Sequence, residues 1–420
     1  MSEKSMRDED AFLNPQPSTL NRFKKIGLFL DYDPSDGGTF QYNQTMIDAV
    51  AALPPDRFSV VFGYTSETWL KYLAPYNLRS ILITSGFWGR ALSLGWLRMG
   101  LPVALWRTIC PYLHPIAKAL LAEECDLWIF PSPTAKSFQI AVPALVSIHD
   151  LMHRYERRFA ESSAGFEYRN RERNLIEICH WAKGVLVDSE TGCQHVHQSY
   201  GMPAELIHVL PYIATKYIHT AKTPPGFDSR YCLPAKFIFY PAQFWEHKNH
   251  KGLIEAVSIL KNSIPELKLV LAGSQKNSYE KAVELVHNHN LASDVIFLGY
   301  VPDEDMPELY RRARALVMPT YYGHTNIPPI EAFAVGCPVA ISGIYGIPEQ
   351  VGDAAMLFNP ESSAEIAECI RKLWFDDALC ATLIERGKKR TAAWGRTQFN
   401  RRLQTIIEGL VLNPEIPADR

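Results

Sequence analysis

The sequence predicts an α/β protein built from two doubly wound, Rossmann-like domains that face each other across a central cleft. Three observations carry this. At 420 residues the chain exceeds what a single core normally holds. Short apolar runs alternate with helical patterns in two successive series, the rhythm of a parallel sheet with crossover helices. Between the series, residues 213–236 are irregular and centred on Thr223-Pro224-Pro225-Gly226, which reads as a linker.

Residues 1–21 are polar, carry Pro15 and Pro17, and read as a disordered tail rather than a signal peptide. The N-terminal domain is expected over residues 22–212. Its first strand is Ile26 to Leu30. After Gly37-Gly38 a helix sets Phe40, Met46, Ile47, Val50 and Leu53 on one face, and Pro54-Pro55 stops it. Further strands are expected at Phe58 to Gly63, Leu127 to Phe130, Ala144 to Ile148, Gly184 to Val187 and Ile207 to Leu210. The C-terminal domain, residues 237–397, repeats the pattern at Phe237 to Tyr240, Leu267 to Ala272, Val295 to Leu298, Ala315 to Met318 and Pro338 to Ser342. A last helical stretch, residues 398–412, has no strand after it. Ligands of such sheets bind beyond the carboxyl ends of the strands.

Charged residues make up 21% of the chain and the formal net charge is -2, which gives no pull toward nucleic acid. One stretch departs from that balance. From Thr68 to Ala122 there is no Asp or Glu, while Lys71, Arg79, Arg90, Arg98, Arg107 and Lys118 are interleaved with Phe87, Trp88, Trp96, Leu97 and Trp106. Basic, Trp-bearing helices lie in lipid interfaces, so an anionic membrane surface is an expected partner. Core helices with a solvated basic edge are the alternative. No run of about 20 uncharged apolar residues exists to span a bilayer. The eight cysteines form no Cys-x-x-Cys pair, and without a signal peptide the expected location is cytoplasmic, with free thiols and a peripheral contact on the inner face of the membrane.

Four motifs carry chemistry. Tyr240 to His250 (Tyr-Pro-Ala-Gln-Phe-Trp-Glu-His-Lys-Asn-His) leaves a strand and enters a helix, so Lys248 can meet an anion in the cleft. Pro319 to Phe333 (Pro-Thr-Tyr-Tyr-Gly-His-Thr-Asn-Ile-Pro-Pro-Ile-Glu-Ala-Phe) opens a short helix whose free amides and dipole favour an anion, with Glu331 in its first turn as a dipole carboxylate or an acceptor for ribose hydroxyls. Ser147-Ile148-His149-Asp150 places a His-Asp pair at a strand tip. Asp36-Gly37-Gly38-Thr39 allows close backbone approach to a phosphate or sugar.

Together these motifs resemble the retaining GT-B glycosyltransferases of family 4, the group 1 type, over roughly residues 24–412. The resemblance is most specific from Phe237 to Pro360, including Ser342 to Asp353. It implies that Lys248 holds the donor's diphosphate and Glu331 its ribose. It implies that amides at Thr325, Asn326 and Ile327 cradle the diphosphate, and that the base lies near Gly299, Tyr300 and Val301. His149, with Asp150 beside it, would contact the donor sugar, and Gly37 and Gly38 the loop alongside. Residues 398–412 look like the helix that crosses back onto the N-terminal domain. Two positions depart from the family pattern: its common arginine is Gln243, and the first glutamate of its Glu-x7-Glu motif is Gly323. Asp31-Tyr32-Asp33 fits an Asp-x-Asp metal motif, but it follows the first strand and precedes Gly-Gly, so no metal is expected.

The function implied is transfer of a hexose or deoxyhexose, of mannose, rhamnose or fucose type, from a nucleotide diphosphate sugar. The acceptor would be a glycan or glycolipid in surface polysaccharide assembly, with no further cofactor. The rival readings are a sugar-nucleotide epimerase or phosphorylase of the same shape, and a catalytically silent binding protein.

Overall fold

The computed structural model describes residues 23–31, 38–84, 91–92, 95–96, 99–219 and 222–412. Two all-parallel sheets organise it. The first has seven strands, β1 Lys24–Leu30, β2 Phe58–Tyr64, β3 Arg79–Leu82, β4 Leu127–Phe130, β5 Ala144–Ser147, β6 Gly184–Val187 and β7 Ile207–Val209, in the order 3-2-1-4-5-6-7. The second has six, β8 Ile238–Pro241, β9 Leu269–Ala272, β10 Val295–Gly299, β11 Ala315–Met318, β12 Val339–Ser342 and β13 Met356–Phe358, in the order 10-9-8-11-12-13. The central strands β4, β5, β6, β9, β11 and β12 are buried along their whole length, which is why they read as apolar runs, with only the terminal Ser147 and Ser342 polar, rather than as alternating ones.

In both sheets the chain order reverses beside a central strand, between β1 and β4 and between β8 and β11. Crevices at the carboxyl ends of these strands are where doubly wound sheets take ligands. The loops after β5, β8 and β11 carry the His-Asp pair, Lys248 and the Pro319 to Phe333 motif respectively.

The helix Gly38–Ala51 buries Phe40, Met46, Ile47 and Val50 against the first sheet. The final helix, Arg396–Leu412, buries Phe399, Leu403, Ile406, Ile407 and Leu410 in that same N-terminal core, although it follows the second sheet in sequence. The stretch 213–236 is less irregular than its prolines suggest. Lys216–His219 forms a 3-10 turn and Phe227–Tyr231 a short helix, and Ile218 and Phe227 are buried in the core of the second sheet.

The acid-free stretch is only partly within the described residues; Phe87, Trp88, Arg90, Leu97 and Arg98 lie outside them. Of the rest, Trp106 is buried in the core, Arg79 is hydrogen-bonded to Glu123, and Arg107 donates to the carbonyls of Phe138 and Ile140. Apolar side chains are nevertheless exposed on the same stretch: Met99, Leu105, Tyr112 and Leu113. No helix among the described residues is long and apolar enough to cross a membrane. All eight cysteines are free of disulfides.

Candidate functional site

Lys248 is set by its neighbours rather than by chance in a loop. It ends a 3-10 turn, Glu246–Lys248, after which Asn249 adopts a left-handed conformation (φ 56°) and caps the helix His250–Leu260 by accepting from the Gly252 amide at 3.0 Å. Asn suits this position because it tolerates positive φ and supplies a capping oxygen. Tyr240, buried at the end of β8, donates to the Lys248 carbonyl at 2.9 Å. The His247 carbonyl accepts the Tyr321 amide at 2.8 Å, which fastens the turn to the loop after β11. The ammonium itself has no hydrogen-bond or ion-pair partner among the described residues. Burial pushes it down to about 8, and the nearby charge of Asp150 works the other way. A half-buried cation without a partner is an anion site in waiting.

His149 and Asp150 come to the same cleft from the tip of β5. The His149 ring is already bound on both sides. Its Nε2 lies 2.8 Å from the Pro131 carbonyl and its Nδ1 2.8 Å from the Tyr212 hydroxyl. Since a carbonyl only accepts, Nε2 carries the proton and Nδ1 accepts from Tyr212. Burial lowers this histidine's pKa, which keeps the ring neutral. Any ligand contact through its nitrogens would have to displace one of these partners. Asp150 accepts from the Met152 amide at 2.9 Å and from Arg171 at 2.5 Å. Burial would raise its pKa, but the Arg171 guanidinium outweighs that and holds the carboxyl well below the usual range.

The loop after β11 leads into the helix Ile327–Val335. A helix start presents its first four N–H groups, but here two fall on Pro328 and Pro329, which have none. A third, at Asn326, is bonded to the Gln350 side-chain oxygen at 3.0 Å. The expectation that amides at Thr325, Asn326 and Ile327 act together is therefore corrected: Asn326 offers no free amide. Its side chain takes a different part. The Asn326 Nδ2 is buried and has no hydrogen-bond partner. It also lies 2.7 Å from where a Cβ on Gly323 would stand, and Gly323 has φ +139°. The space that a side chain at 323 would fill is taken by the Asn326 carboxamide. Gly323→Ala is expected to cost on the order of 1–3 kcal/mol in backbone strain and to push that carboxamide aside, read by thermal unfolding. Gly323→Glu would likewise rebuild the loop rather than restore a carboxylate to it.

Thr325 Oγ donates to Asp188 at 2.6 Å, across the domain boundary, since Asp188 follows β6. Burial pushes the Asp188 carboxyl up to about 6. A cavity of about 360 Å³ opens at this junction, lined by Asp188, Tyr212, Thr325, Phe333 and Trp394 among others. It adjoins the Thr325 loop, while Lys248 and Glu331 do not line it.

Glu331 is buried and fully engaged. Its Oε1 accepts from Thr215 at 2.5 Å and Tyr217 at 2.6 Å, and its Oε2 from Tyr310 at 2.9 Å. Two of these donors, Thr215 and Tyr217, come from the stretch 213–236 between the two sheets. Burial raises the pKa of this carboxyl. Gly299 ends β10 with φ +70°, Tyr300 is exposed and Val301 is buried. Gln243 accepts from Trp245 Nε1 at 2.9 Å. Gly38 opens the first helix, and a Cβ there would meet nothing within 4 Å; Gly37 lies outside the described residues. Asp31 accepts from Lys136 and Thr134, and Asp33 lies outside the described residues. No group of three or more His, Cys, Asp or Glu among the described residues could hold a metal ion.

Residues 233–390 match the family described as glycosyl transferases group 1. This segment, 158 of the 420 residues, is similar to a group 1 glycosyltransferase domain. It contains Gln243, Lys248, Gly299 to Val301 and the whole Gly323 to Glu331 loop. Among curated proteins, O-antigen chain mannosyltransferase B of Escherichia coli is 28% identical over 276 residues, 63% of this chain and 70% of that protein. The serotype-specific mannosyltransferase WbdA of Escherichia coli is 28% identical over 201 residues, 45% of this chain but only 25% of that protein. Among solved structures, Anabaena HepE in complex with UDP and glucose superposes with a TM-score of 0.68 at 18% identity, covering 92% of this chain and all of the other. The fold is thus GT-B, and the structural neighbours are GT-B glycosyltransferases.

Arg171, Asp188, Thr215, Tyr217 and Glu161 were not singled out from the sequence. Asp188 had a signal, a strand-tip acid followed by the helix-capping Ser189. The others come from polar helices and the linker, where nothing in residue spacing points to the cleft.

Proposed function

We propose that this chain transfers a hexose of mannose type, with retention of anomeric configuration, from a nucleotide diphosphate sugar to a glycan or lipid-linked glycan acceptor in surface polysaccharide assembly. The observation that carries this is the unpaired, half-buried ammonium of Lys248, held at the carboxyl end of β8 inside the segment similar to a group 1 domain. The mannosyltransferases it resembles support the choice of sugar.

In this reading Lys248, the Thr325 and Ile327 amides and the Asn326 carboxamide stabilise the departing diphosphate as charge develops on it. Glu331 accepts from the ribose hydroxyls by sharing or exchanging its present hydroxyl donors. Asp150, kept ionised by Arg171, balances the cleft until the anionic donor arrives. The reading needs no metal, because cationic and N–H groups supply the stabilisation. Incubation with GDP-mannose, UDP-glucose and related donors, with mass spectrometry of acceptor glycans, tests it. Transfer with release of nucleoside diphosphate, undiminished by EDTA, is expected. Interconversion of the donor sugar without transfer would favour an epimerase, and chelator-sensitive transfer restored by manganese would overturn the metal-free mechanism.

A lipid-linked acceptor requires access to a bilayer; the exposed Met99, Leu105, Tyr112 and Leu113 and the exposed Lys118 support such a contact. Each Lys or Arg near an anionic surface adds about 1 kcal/mol of attraction. The protein is expected to co-sediment with anionic liposomes at low salt and to be released as salt rises. Failure to bind at low salt excludes this surface as a membrane contact.

A further inference from the structure

A short helix of the N-terminal domain, Ala160–Ser163, sends a carboxylate across the cleft to the turn that bears Lys248. Glu161 Oε1 lies 2.9 Å from His247 Nδ1 and 3.2 Å from the His247 amide, and its Oε2 lies 3.2 Å from Asn277 Nδ2. Asn277 Oδ1 in turn accepts the Glu246 amide at 3.1 Å. The turn Glu246–Lys248 is therefore gripped at two successive residues by groups that converge on one carboxylate. That carboxylate is buried, with 8% of its side chain exposed. Burial would raise its pKa, yet the hydrogen bonds from His247 hold it down at about 2, so it is ionised throughout the working range.

The segment around Glu161 is fastened to the C-terminal domain along its length. Tyr345 donates to Glu156 at 2.7 Å, Arg158 pairs with Glu361 at 2.5 Å, and Phe159 stacks on Tyr321 with ring centroids 5.5 Å apart. These contacts exist only while the two domains are closed on each other. Opening them by even a few ångströms would take Glu161 off His247 and leave the Lys248 turn with its intradomain supports.

We propose that Glu161 is a positioning residue that couples closure of the two domains to presentation of the Lys248 ammonium to a diphosphate. This rests on the reading that Lys248 binds the donor's diphosphate. Glu161 does not touch that ligand; it acts through His247 and the turn. Its effect should accordingly vanish when Lys248 is absent, whereas a contact that only strengthens the fold would act whether or not Lys248 is there.

The test is a double-mutant cycle in the full chain, read by calorimetric titration with GDP and UDP and with the corresponding monophosphates. Wild type, Glu161→Ala, Lys248→Ala and the double variant are compared, with Glu161→Gln as the conservative variant. Glu161→Ala should weaken nucleoside diphosphate affinity on the order of tenfold and leave monophosphate affinity within about twofold. The double variant should bind no more weakly than Lys248→Ala. Glu161→Gln, which keeps an oxygen for the His247 N–H groups, should fall between wild type and Glu161→Ala. Diphosphate affinity unchanged in folded Glu161→Ala, or additive losses in the double variant, would overturn the proposal while leaving the role of Lys248 standing. Lys248→Ala binding as well as wild type would instead overturn the underlying reading, and the proposal with it.

Discussion

Lys248→Ala should abolish most transfer while leaving the fold intact. Removing one preformed charge-stabilising group from a leaving group costs on the order of 10²–10³ in rate. The fold should survive because Tyr240 grips the Lys248 backbone carbonyl and Asn249 caps the next helix, and neither contact uses the lysine side chain. The same residue predicts a pH dependence. Burial brings its pKa down to about 8, so the ammonium is present below that value and is lost as pH rises through it. The ratio kcat/KM reports the free enzyme and should fall on that alkaline limb. Asp150→Asn removes the charge that favours the ammonium and should move the limb to lower pH. An alkaline limb unmoved by Asp150→Asn would separate the two residues.

Glu331→Ala is expected to have the largest effect on stability. The three hydroxyls of Thr215, Tyr217 and Tyr310 would face an empty, dry space. An unsatisfied buried polar group costs about 1–3 kcal/mol, so a loss of roughly 2–4 kcal/mol is expected after partial relaxation. Because two of the hydroxyls sit in the linker, the variant should also loosen the junction between domains. Glu331→Gln separates structure from binding. Its amide oxygen can accept from Thr215 and Tyr217, and its NH₂ can donate to Tyr310, since a phenol oxygen also accepts. Thermal unfolding close to wild type together with weaker binding of a ribose-bearing ligand would assign the carboxylate a direct role. Unchanged binding in Glu331→Gln would confine Glu331 to holding the linker.

Much of this architecture is legible in the sequence because parallel strands buried on both faces are plain apolar runs. Leu127–Phe130, Gly184–Val187 and Ala315–Met318 have the predicted bounds. The strands that escaped, Arg79–Leu82 and Met356–Phe358, lie at sheet edges and are half exposed, so their residues carry no continuous apolar signal. The same contrast runs through the site. Lys248 and Glu331 stand out because a strand, a loop and a helix start follow one another in sequence. What holds them does not. Glu161 reaches His247 over 86 positions, Asp188 reaches Thr325 over 137, and Thr215 reaches Glu331 over 116. Such pairs are made by the domain interface, which leaves no periodicity to read. The Asn326 carboxamide is a similar case. Gly323 looks like a gap in the sequence, and only the backbone at φ +139° shows that another side chain occupies it.

The central claim is that the C-terminal domain binds a nucleotide diphosphate at Lys248. Calorimetric titration of the full chain with GDP and UDP, beside Lys248→Ala under the same conditions, tests it most directly. At least one of the two should bind wild type with one site per chain, release heat that depends on pH through about 8, and lose tenfold or more in affinity in the alanine variant. Folded wild-type protein that binds neither diphosphate, or Lys248→Ala protein that binds as tightly as wild type, would contradict the account.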